Sequence, residues 1–229
     1  MKQTIVLWDI DNTLLYTGGA GGVGMNRAFR DIYGVDDGFG RVEFSGRSDA
    51  AIFADAACAH GIPEEQLLVE QARFLDAYLP HLQTAMGEVT TGRLMPGVVE
   101  LLQALGARDD VVQGLGTGNF RRAGELKLQH YEIASYFPGC VGGFGEDSEH
   151  RHELIGAGIE RLRNGGSDAR VVIIGDTPHD VSAAKANNAF ALGVATGRDS
   201  VEALLACGAD AALADLSDVE LALAIVCGD

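Results

Sequence analysis

The stretch "IVLWDIDNTLL" (residues 5–15) decides the fold, because the end of a buried strand and a pair of carboxylates meet within it. The near-continuous apolar run at residues 4–10 is typical of a parallel strand that is covered on both faces. Asp9 and Asp11 stand where this run ends. Since alternate residues of a strand point to the same face, both carboxylates can turn towards one reaction centre.

Three further apolar runs have the same character, at residues 111–115, 171–174 and 190–195. Each is followed by turn residues and then by a segment of helical periodicity. Strands and helices that alternate in this way indicate an α/β fold with helices on both faces of a parallel sheet. We therefore predict a Rossmann-like parallel sheet core.

A second kind of sequence fills residues 16–92, where helical periodicity replaces any strong strand signal. The predicted organisation is an α/β core formed by residues 1–15 and 93–229, with an inserted all-helical cap domain at residues 16–92. Glycine-rich segments at residues 17–22 and 90–97 flank this insert and are predicted to be its hinges.

Local signals place the helices of the insert. Ser48 is predicted to be the N-cap of one helix, and Gly61 its stop. Pro63 opens the next helix, which Pro80 should kink or end. The segment "GAGGVG" (residues 19–24) also fits a dinucleotide-binding fingerprint, but it comes too far after the first strand, and a lone match of this kind is weak.

Polar residues follow the other strands as well. "GTGN" stands after the second apolar run, and "DTPHD" stands after the third. Ligands of an open parallel sheet bind at the carboxyl ends of its strands, near the point where the strand order reverses. The residues expected to gather at that edge are Asp9, Asp11, Thr117, Gly118, Asn119, Asp176 and Asp180.

This set of side chains predicts a chemistry. Carboxylates as close as those of Asp9, Asp11 and Asp176 repel one another unless a cation neutralises them, and oxygen-rich sites of this kind suit Mg²⁺. One carboxylate can attack phosphorus and form an aspartyl-phosphate, while the other protonates the leaving oxygen and then deprotonates water. Thr117 and the backbone N–H groups of the turn at Gly118 can hold the phosphoryl oxygens. The sequence thus predicts a Mg²⁺-dependent phosphatase.

Three motifs carry a resemblance to a known family. "DIDNTLL", "GLGTGN" and "GDTPHD" resemble the first, second and fourth motifs of the haloacid dehalogenase-like (HAD) hydrolases, specifically the phosphoglycolate-phosphatase-like branch with a helical cap. The resemblance covers nearly the whole chain and implies the HAD fold, with Asp9 as nucleophile and Asp11 as general acid and base. The metal ligands that it implies are Asp9, Asp176 and the backbone carbonyl of Asp11, supported by Asp180, and the phosphate ligands are Thr117 and Asn119.

The third motif departs from the family pattern, which is usually a lysine, often before a proline. Here "EDSEHRHELI" supplies Arg151 at that spacing. Its bidentate guanidinium suits the neutralisation of a phosphate and of Asp9, although arginine and lysine are not interchangeable. Lys127, on the helix after Thr117, is the other candidate for this catalytic role, and both stay open.

The cap is expected to select the substrate. The loop "FSGRSD" (residues 44–49) lies where related caps present a loop to the active site. Arg47 would there hold a second anionic group, such as a substrate carboxylate. The alternative is a salt bridge at the start of a helix that Ser48 caps.

Composition limits the partners. The formal net charge of -16 disfavours nucleic acid and anionic membranes. No window is long and apolar enough to span a bilayer, and the N-terminus carries acids where a secretory signal would still be apolar. We therefore expect a cytoplasmic protein, a monomer or homodimer, that acts on a small phosphorylated metabolite. The cysteines, expected to be small buried hydrophobes because their spacing suits no metal, are Cys58, Cys140, Cys207 and Cys227.

Two rival functions stay open. A phosphomutase of the same fold would pass the phosphoryl group to a sugar hydroxyl instead of water. A non-enzymatic phospho-acceptor module, like a response-regulator receiver, would also use Asp, Thr and Lys around Mg²⁺. The helical insert and the position of Asp11 argue against the module. By the same resemblance, Asp11 favours phosphate-ester hydrolysis over halide displacement, since the halide-displacing members lack this aspartate.

Overall fold

A computed structural model describes residues 3–44, 46–163 and 169–229 and shows an α/β protein. Ser45, in the predicted substrate loop, and residues 164–168 lie outside the described residues. The strands are β1 (Gln3–Trp8), β2 (Leu15–Tyr16), β3 (Arg93–Leu94), β4 (Val111–Gly116), β5 (Gly142–Gly143), β6 (Ala169–Gly175), β7 (Phe190–Val194) and β8 (Ala211–Leu213). The helices are α1 (Ala20–Tyr33), α2 (Asp49–Ala59), α3 (Leu67–Glu88), α4 (Val98–Gly106), α5 (Arg121–His130), α6 (Arg151–Arg163), α7 (Pro178–Ala186), α8 (Val201–Ala206) and α9 (Val219–Cys227).

Within the described residues, six strands form one parallel sheet in the order β5-β4-β1-β6-β7-β8. β1 lies between β4 and β6, so the chain builds the sheet first to one side of β1 and then to the other. The strand order therefore reverses at β1, which is where a parallel sheet binds its ligands. The predicted Rossmann-like parallel core is confirmed.

Apolar side chains explain why β1 occupies the centre. Ile5, Val6, Leu7 and Trp8 are fully buried, since helices cover both faces of the sheet. One apolar layer joins the sheet to α4 and α9, and another joins it to α6, α7 and α8. Burial of this extent is what a continuous apolar strand predicts.

Helices α1, α2 and α3 lie between β2 and β3 in the chain and share an apolar cluster of their own, with Phe29, Phe53 and Phe74 fully buried. β2 pairs antiparallel with β3, which brings the two connections to this helical unit side by side. Gly18 lies at this crossing with a positive φ of 66°. A Cβ there would lie 2.1 Å from Val89 Cγ1, so the close approach of the two connections requires glycine.

Pro80 was predicted to kink or end its helix, and the second of these is wrong, because α3 runs through Pro80 from Leu67 to Glu88. Tyr78 and Leu82, on either side of the proline, are buried in the contact with α1. Packing on this face holds the helix together despite the backbone hydrogen bond that proline removes.

The expectation for the cysteines is wrong at two positions. Cys58 and Cys207 are exposed, whereas Cys140 is buried and Cys227 is half-buried. Cys58 lies on the outer face of α2, and Cys207 caps the C-terminus of α8, so neither side chain reaches an apolar layer. Among the described helices, none is both long and apolar enough to cross a membrane.

Candidate active site

A cavity of about 470 Å³ opens between the carboxyl edge of the sheet and the helices α1 to α3. Asp9 follows β1, Thr117 follows β4 and Asp176 follows β6, and these three strands are neighbours in the sheet. The predicted site residues that line the cavity are Asp9, Asp11, Arg47, Thr117, Gly118, Asn119, Lys127, Arg151, Asp176 and Asp180. The structure thus brings every predicted site residue to one place.

Arg151, the first residue of α6, joins two buried carboxylates. Its Nη2 donates to Asp9 Oδ1 at 2.7 Å, and its Nε donates to Asp180 Oδ1 at 3.1 Å. The Arg151 side chain is only 11% exposed, so solvent screens these ion pairs little. Burial raises the pKa of the Asp9 carboxyl to about 6, with Arg151 opposing the rise and Asp180 adding to it.

Asp180 is held on its other side by the start of its own helix. Its Oδ2 accepts hydrogen bonds from Thr177 Oγ1 at 2.7 Å and from Thr177 N at 3.1 Å. The Thr177 hydroxyl in turn caps α7, which makes a reciprocal capping box. Arg151 and Thr177 thus form hydrogen bonds with both oxygens of Asp180. These bonds fix the Asp180 carboxylate close to those of Asp9 and Asp176.

The carboxylate of Asp176 has the least compensation of the three. It is buried, and among the described side chains it accepts one long hydrogen bond of 3.4 Å, from Thr13 Oγ1, besides a hydrogen bond from its own backbone. Burial, followed by the nearby charges of Asp9 and Asp180, raises its pKa to about 8. An acid in this environment gains the most from a bound cation.

These three acids form a set that fits a divalent metal ion. Ligand atoms of Asp9, Asp176 and Asp180 lie within 4.8 Å of one another, and all three residues are buried. Arg151 supplies one positive charge against three carboxylates, which leaves an excess of negative charge in a buried place. Hard oxygen ligands and this charge excess suit Mg²⁺.

A second buried cation organises the other side of the cavity. Lys127 Nζ donates to both oxygens of Asp11, at 2.6 and 2.8 Å, and also to Asn119 Oδ1. Burial opposes the charge of Lys127, yet Asp11 and Asp49 outweigh it and raise the pKa of the ammonium. Of the two candidates for the third motif, Arg151 therefore forms a salt bridge with Asp9, and Lys127 forms one with Asp11.

Asn119 connects Asp11 to the loop after β4. Its Nδ2 donates to Asp11 Oδ2 and to Thr117 Oγ1, both at 2.8 Å. Thr117 is fully buried, and its own N–H donates to Gly143 O in the neighbouring strand. These hydrogen bonds fix the positions of the side chains expected to hold phosphate.

The helical unit docks directly onto this loop. Asp49 N donates to Gly118 O at 2.7 Å, and the Asp49 carboxylate accepts from Phe120 N at 2.9 Å. A Cβ at Gly118 would lie 2.5 Å from Arg47 O, so this contact requires glycine on the core side. Burial raises the pKa of Asp49 to about 7, with Lys127 opposing the rise.

Arg47 precedes α2, lines the cavity and also forms an ion pair with the exposed Asp55 in the second turn of that helix. Ser48 caps α2 by accepting from Ala51 N at 3.2 Å, as predicted. Arg47 thus faces the cavity and also forms a salt bridge with the helix that Ser48 caps. Binding of a second anionic group by Arg47 stays a prediction.

Sequence reasoning missed several cavity residues that are contributed by the helical unit and by the loop after β7. These are Gly21, Gly22, Met25, Phe44, Asp49, Ile52, Tyr78 and Arg198. Asp49 is the last residue of the "FSGRSD" segment, where the sequence indicates only that a helix starts. Gly21 and Gly22 stand in the glycine-rich segment that was predicted to be a hinge, and Phe44 stands in the predicted substrate loop. The other residues carry no motif, and only the docking of the helices over the sheet reveals them.

Comparison with known proteins agrees with this geometry. A family model described as a haloacid dehalogenase-like hydrolase matches residues 4–188. The chain belongs to this family. No curated protein matches the sequence.

Solved structures of the HAD-like fold resemble the chain over nearly its full length. A protein predicted to be a phosphatase, from Clostridium acetobutylicum, is 17% identical with a TM-score of 0.68, and the match covers 97% of this chain and 98% of that one. A hydrolase from Pseudomonas syringae is 18% identical with a TM-score of 0.67, covering 97% and 98%. A protein expected to be a beta-phosphoglucomutase, from Thermotoga maritima, is 22% identical with a TM-score of 0.62, covering 96% and 98%. At these identities the likeness establishes the fold.

Proposed function

We propose that this HAD-like hydrolase is a Mg²⁺-dependent phosphatase that hydrolyses a small phosphorylated metabolite through an aspartyl-phosphate. The observation that carries the proposal is the convergence of Asp9, Asp11, Thr117 and Asp176 in one cavity at the point where the strand order reverses. A cavity of about 470 Å³ has the size of a small-molecule site. The net charge of -16 disfavours a nucleic acid substrate.

Asp9 and Asp11 divide the reaction between them. A carboxylate oxygen of Asp9 attacks phosphorus, and the bond from phosphorus to the ester oxygen breaks as the new one forms. Asp11 gives its proton to the departing alcohol and then takes a proton from the water that attacks the phosphorus of the aspartyl-phosphate. That second displacement releases inorganic phosphate and restores Asp9.

The other residues orient and neutralise the transferring group. Thr117 and Asn119 bind its oxygens, and Arg151 neutralises its charge while it holds the Asp9 side chain in position. Lys127 orients Asp11 through a bidentate contact. Mg²⁺, held by Asp9, Asp176 and the Asp11 backbone carbonyl, would neutralise negative charge on the phosphoryl oxygens.

Phosphate release from a metabolite panel tests the activity. We expect the purified protein with Mg²⁺ to release inorganic phosphate from one or a few small monoesters. Repeating the panel with Arg47→Ala then separates substrates that carry a second anionic group from those that do not. If no member of the panel yields phosphate in the presence of Mg²⁺, the proposed function is wrong.

Metal removal should abolish activity and lower stability together. A ligand at a hundred times its dissociation constant adds about 2.7 kcal/mol to the stability of the folded state. For a chain of this length this corresponds to a rise in Tm of roughly 5–10 °C when Mg²⁺ is added to protein treated with EDTA.

Asp176→Asn should lose both the thermal shift and the phosphatase activity, because it removes the least compensated carboxylate. The matched control is Asp109→Asn, in an exposed turn that precedes β4 and so lies at the opposite edge of the sheet. This variant should keep the shift. An equal Mg²⁺ shift in wild-type protein and Asp176→Asn would contradict the proposed metal site.

A phosphomutase is the second candidate, favoured by the structural likeness to the Thermotoga maritima protein. It would use the same residues and transfer the phosphoryl group to a hydroxyl of a sugar phosphate. Incubation with hexose phosphates distinguishes the two activities. A phosphatase releases inorganic phosphate, whereas a mutase isomerises the sugar phosphate without releasing it.

A further inference from the structure

The hydroxyl of Tyr78 is a buried polar group that the proposed reaction does not use. Tyr78 lies on α3 and is only 1% exposed, yet it lines the cavity above the catalytic residues. Among the hydrogen bonds of the described residues, none involves this hydroxyl, and Tyr78 Oη is not one of the fully enclosed polar atoms without a partner. The hydroxyl is therefore open to the cavity, which makes it a candidate contact for a ligand there.

The position of the Tyr78 ring is fixed by its neighbours. The ring stacks on Phe74 with centroids 5.8 Å apart and an interplanar angle of 11°. Helix α1 also approaches the ring closely, since a Cβ at Gly24 would lie 3.0 Å from Tyr78 Cε2. The hydroxyl is therefore aimed into the cavity by packing, which is how a specificity group is held in advance of binding.

Gly21 leaves an opening between this hydroxyl and the catalytic acid and base. A Cβ at Gly21 would lie 3.6 Å from Tyr78 Oη and 4.0 Å from Lys127 Nζ, with no closer neighbour. Lys127 in turn holds Asp11 at 2.6 Å. The opening thus adjoins the group that protonates the leaving oxygen, and it is the space that the leaving alcohol would occupy.

The charges around the opening select the chemistry of its ligand. The pKa of Tyr78 is well above its usual value because the group is buried, and because Asp49 and Asp11 are close. The phenol is therefore a permanent hydrogen-bond donor. The same two carboxylates disfavour an anionic acceptor, and the three N–H bonds of Lys127 are already engaged by Asp11 and Asn119. Met25 and Ile52 add apolar walls.

We infer that Tyr78 recognises an uncharged hydroxyl on the leaving alcohol, so that the enzyme prefers monophosphates of small polyhydroxy alcohols. The inference rests on the proposed phosphatase function. The recognised hydroxyl lies one or two carbons from the phosphate ester, because the opening at Gly21 adjoins both Tyr78 and the Lys127–Asp11 pair.

Two substrates of equal carbon number test this subsite. Glycerol 1-phosphate carries hydroxyls at both positions, and n-propyl phosphate carries none. In wild-type protein we expect kcat/KM to be higher for glycerol 1-phosphate, and in Tyr78→Phe we expect the ratio of the two values to fall about tenfold to a hundredfold. Since the hydroxyl has no structural partner, Tyr78→Phe should keep the wild-type Tm.

Gly21→Ala provides a steric variant that keeps the hydroxyl. The added methyl group meets Tyr78 and Lys127 at ordinary contact distances, so the helix tolerates it, but the opening is filled. We expect kcat/KM for glycerol 1-phosphate to fall at least about tenfold. The matched control is Gly87→Ala in α3, where a Cβ has nothing within 4 Å. This variant should behave like the wild type.

The outcomes separate this inference from the proposed function. Phosphate release from both substrates with the same ratio in wild-type protein and Tyr78→Phe would overturn the inference and leave the phosphatase intact. A lower Tm in Tyr78→Phe would also overturn it, since the hydroxyl would then have a structural partner. If the wild-type protein prefers 3-phosphoglycerate to glycerol 1-phosphate and Tyr78→Phe loses this preference, Tyr78 recognises an anionic group and not an uncharged hydroxyl. If neither of the first pair releases phosphate while other monoesters do, the substrate class is wrong.

Discussion

Asp9→Asn should abolish phosphate release, with a fall in kcat of about 10⁴-fold or more. The amide keeps the shape of the side chain but has no carboxylate oxygen to form the aspartyl-phosphate. Phosphate release from an aryl phosphate, with saturating Mg²⁺, measures the effect. Because an aryl phosphate has a good leaving group, the assay reports the nucleophile and is insensitive to the acid that protonates the alcohol.

The same substitution should not unfold the protein. Three buried carboxylates face one arginine at this site, so removing a negative charge relieves repulsion in the metal-free state. We expect the Tm in EDTA to equal or exceed that of the wild type. Asp109→Asn, the same change in an exposed turn, should retain full activity. Turnover by Asp9→Asn at a rate near that of this control would rule out Asp9 as the nucleophile.

Much of the core was predictable because its strands are continuous apolar runs. The predicted strands at residues 4–10, 111–115, 171–174 and 190–195 correspond to β1, β4, β6 and β7. The sequence did not predict β5, which consists of two glycines. A Cβ at Gly142 would lie 2.1 Å from Leu115 O, so this edge strand depends on the absence of side chains. Hydrophobic periodicity carries no signal for such a strand.

The position of the site followed from one topological rule. Side chains at the carboxyl ends of β1, β4 and β6 converge because these strands are neighbours, and that order could be expected of a doubly wound sheet. The partners of the two buried cations could not be predicted. Arg151 and Lys127 lie on different helices, and whether each meets Asp9 or Asp11 depends on how those helices pack against the sheet.

The half of the cavity that α1, α2 and α3 contribute was the least predictable. Tyr78 belongs to a segment of helical periodicity, which indicates only a buried face, and Gly21 belongs to the glycine-rich segment predicted to be a hinge. The place of both residues in the cavity depends on the docking of α1 and α3 over the sheet. The error at Pro80 has the same origin, because packing between these two helices outweighs a local propensity.

Arg151→Met should have the second largest effect, on both activity and stability. Within the described residues, it removes the cation that contacts both Asp9 and Asp180. The two buried carboxylates lose this counter-charge, although Asp180 keeps its hydrogen bonds from Thr177. Breaking a buried ion pair from one side typically costs about 3–5 kcal/mol, and losing a charge that stabilises the transition state costs about 10²–10³-fold in kcat. Thermal unfolding and phosphate release measure the two effects. Mg²⁺ should reduce the stability loss, because it neutralises Asp9.

Arg151→Lys distinguishes charge from geometry. An ammonium replaces the charge, but it is a point donor, whereas the guanidinium donates to Asp9 through Nη2 and to Asp180 through Nε. We therefore expect Arg151→Lys to recover most of the kcat lost in Arg151→Met and only part of the stability.

Lys127→Met is the matched comparison, since it removes a buried cation that contacts Asp11 instead. One pair of results would contradict the role of Arg151: Lys127→Met lowers kcat for the aryl phosphate as far as Arg151→Met does, and Arg151→Lys recovers none of the loss. Arg151 would then not take the place of the lysine that is usual in the third motif of the family. The charge that acts beside the nucleophile would then come from Lys127, across the cavity from Asp9.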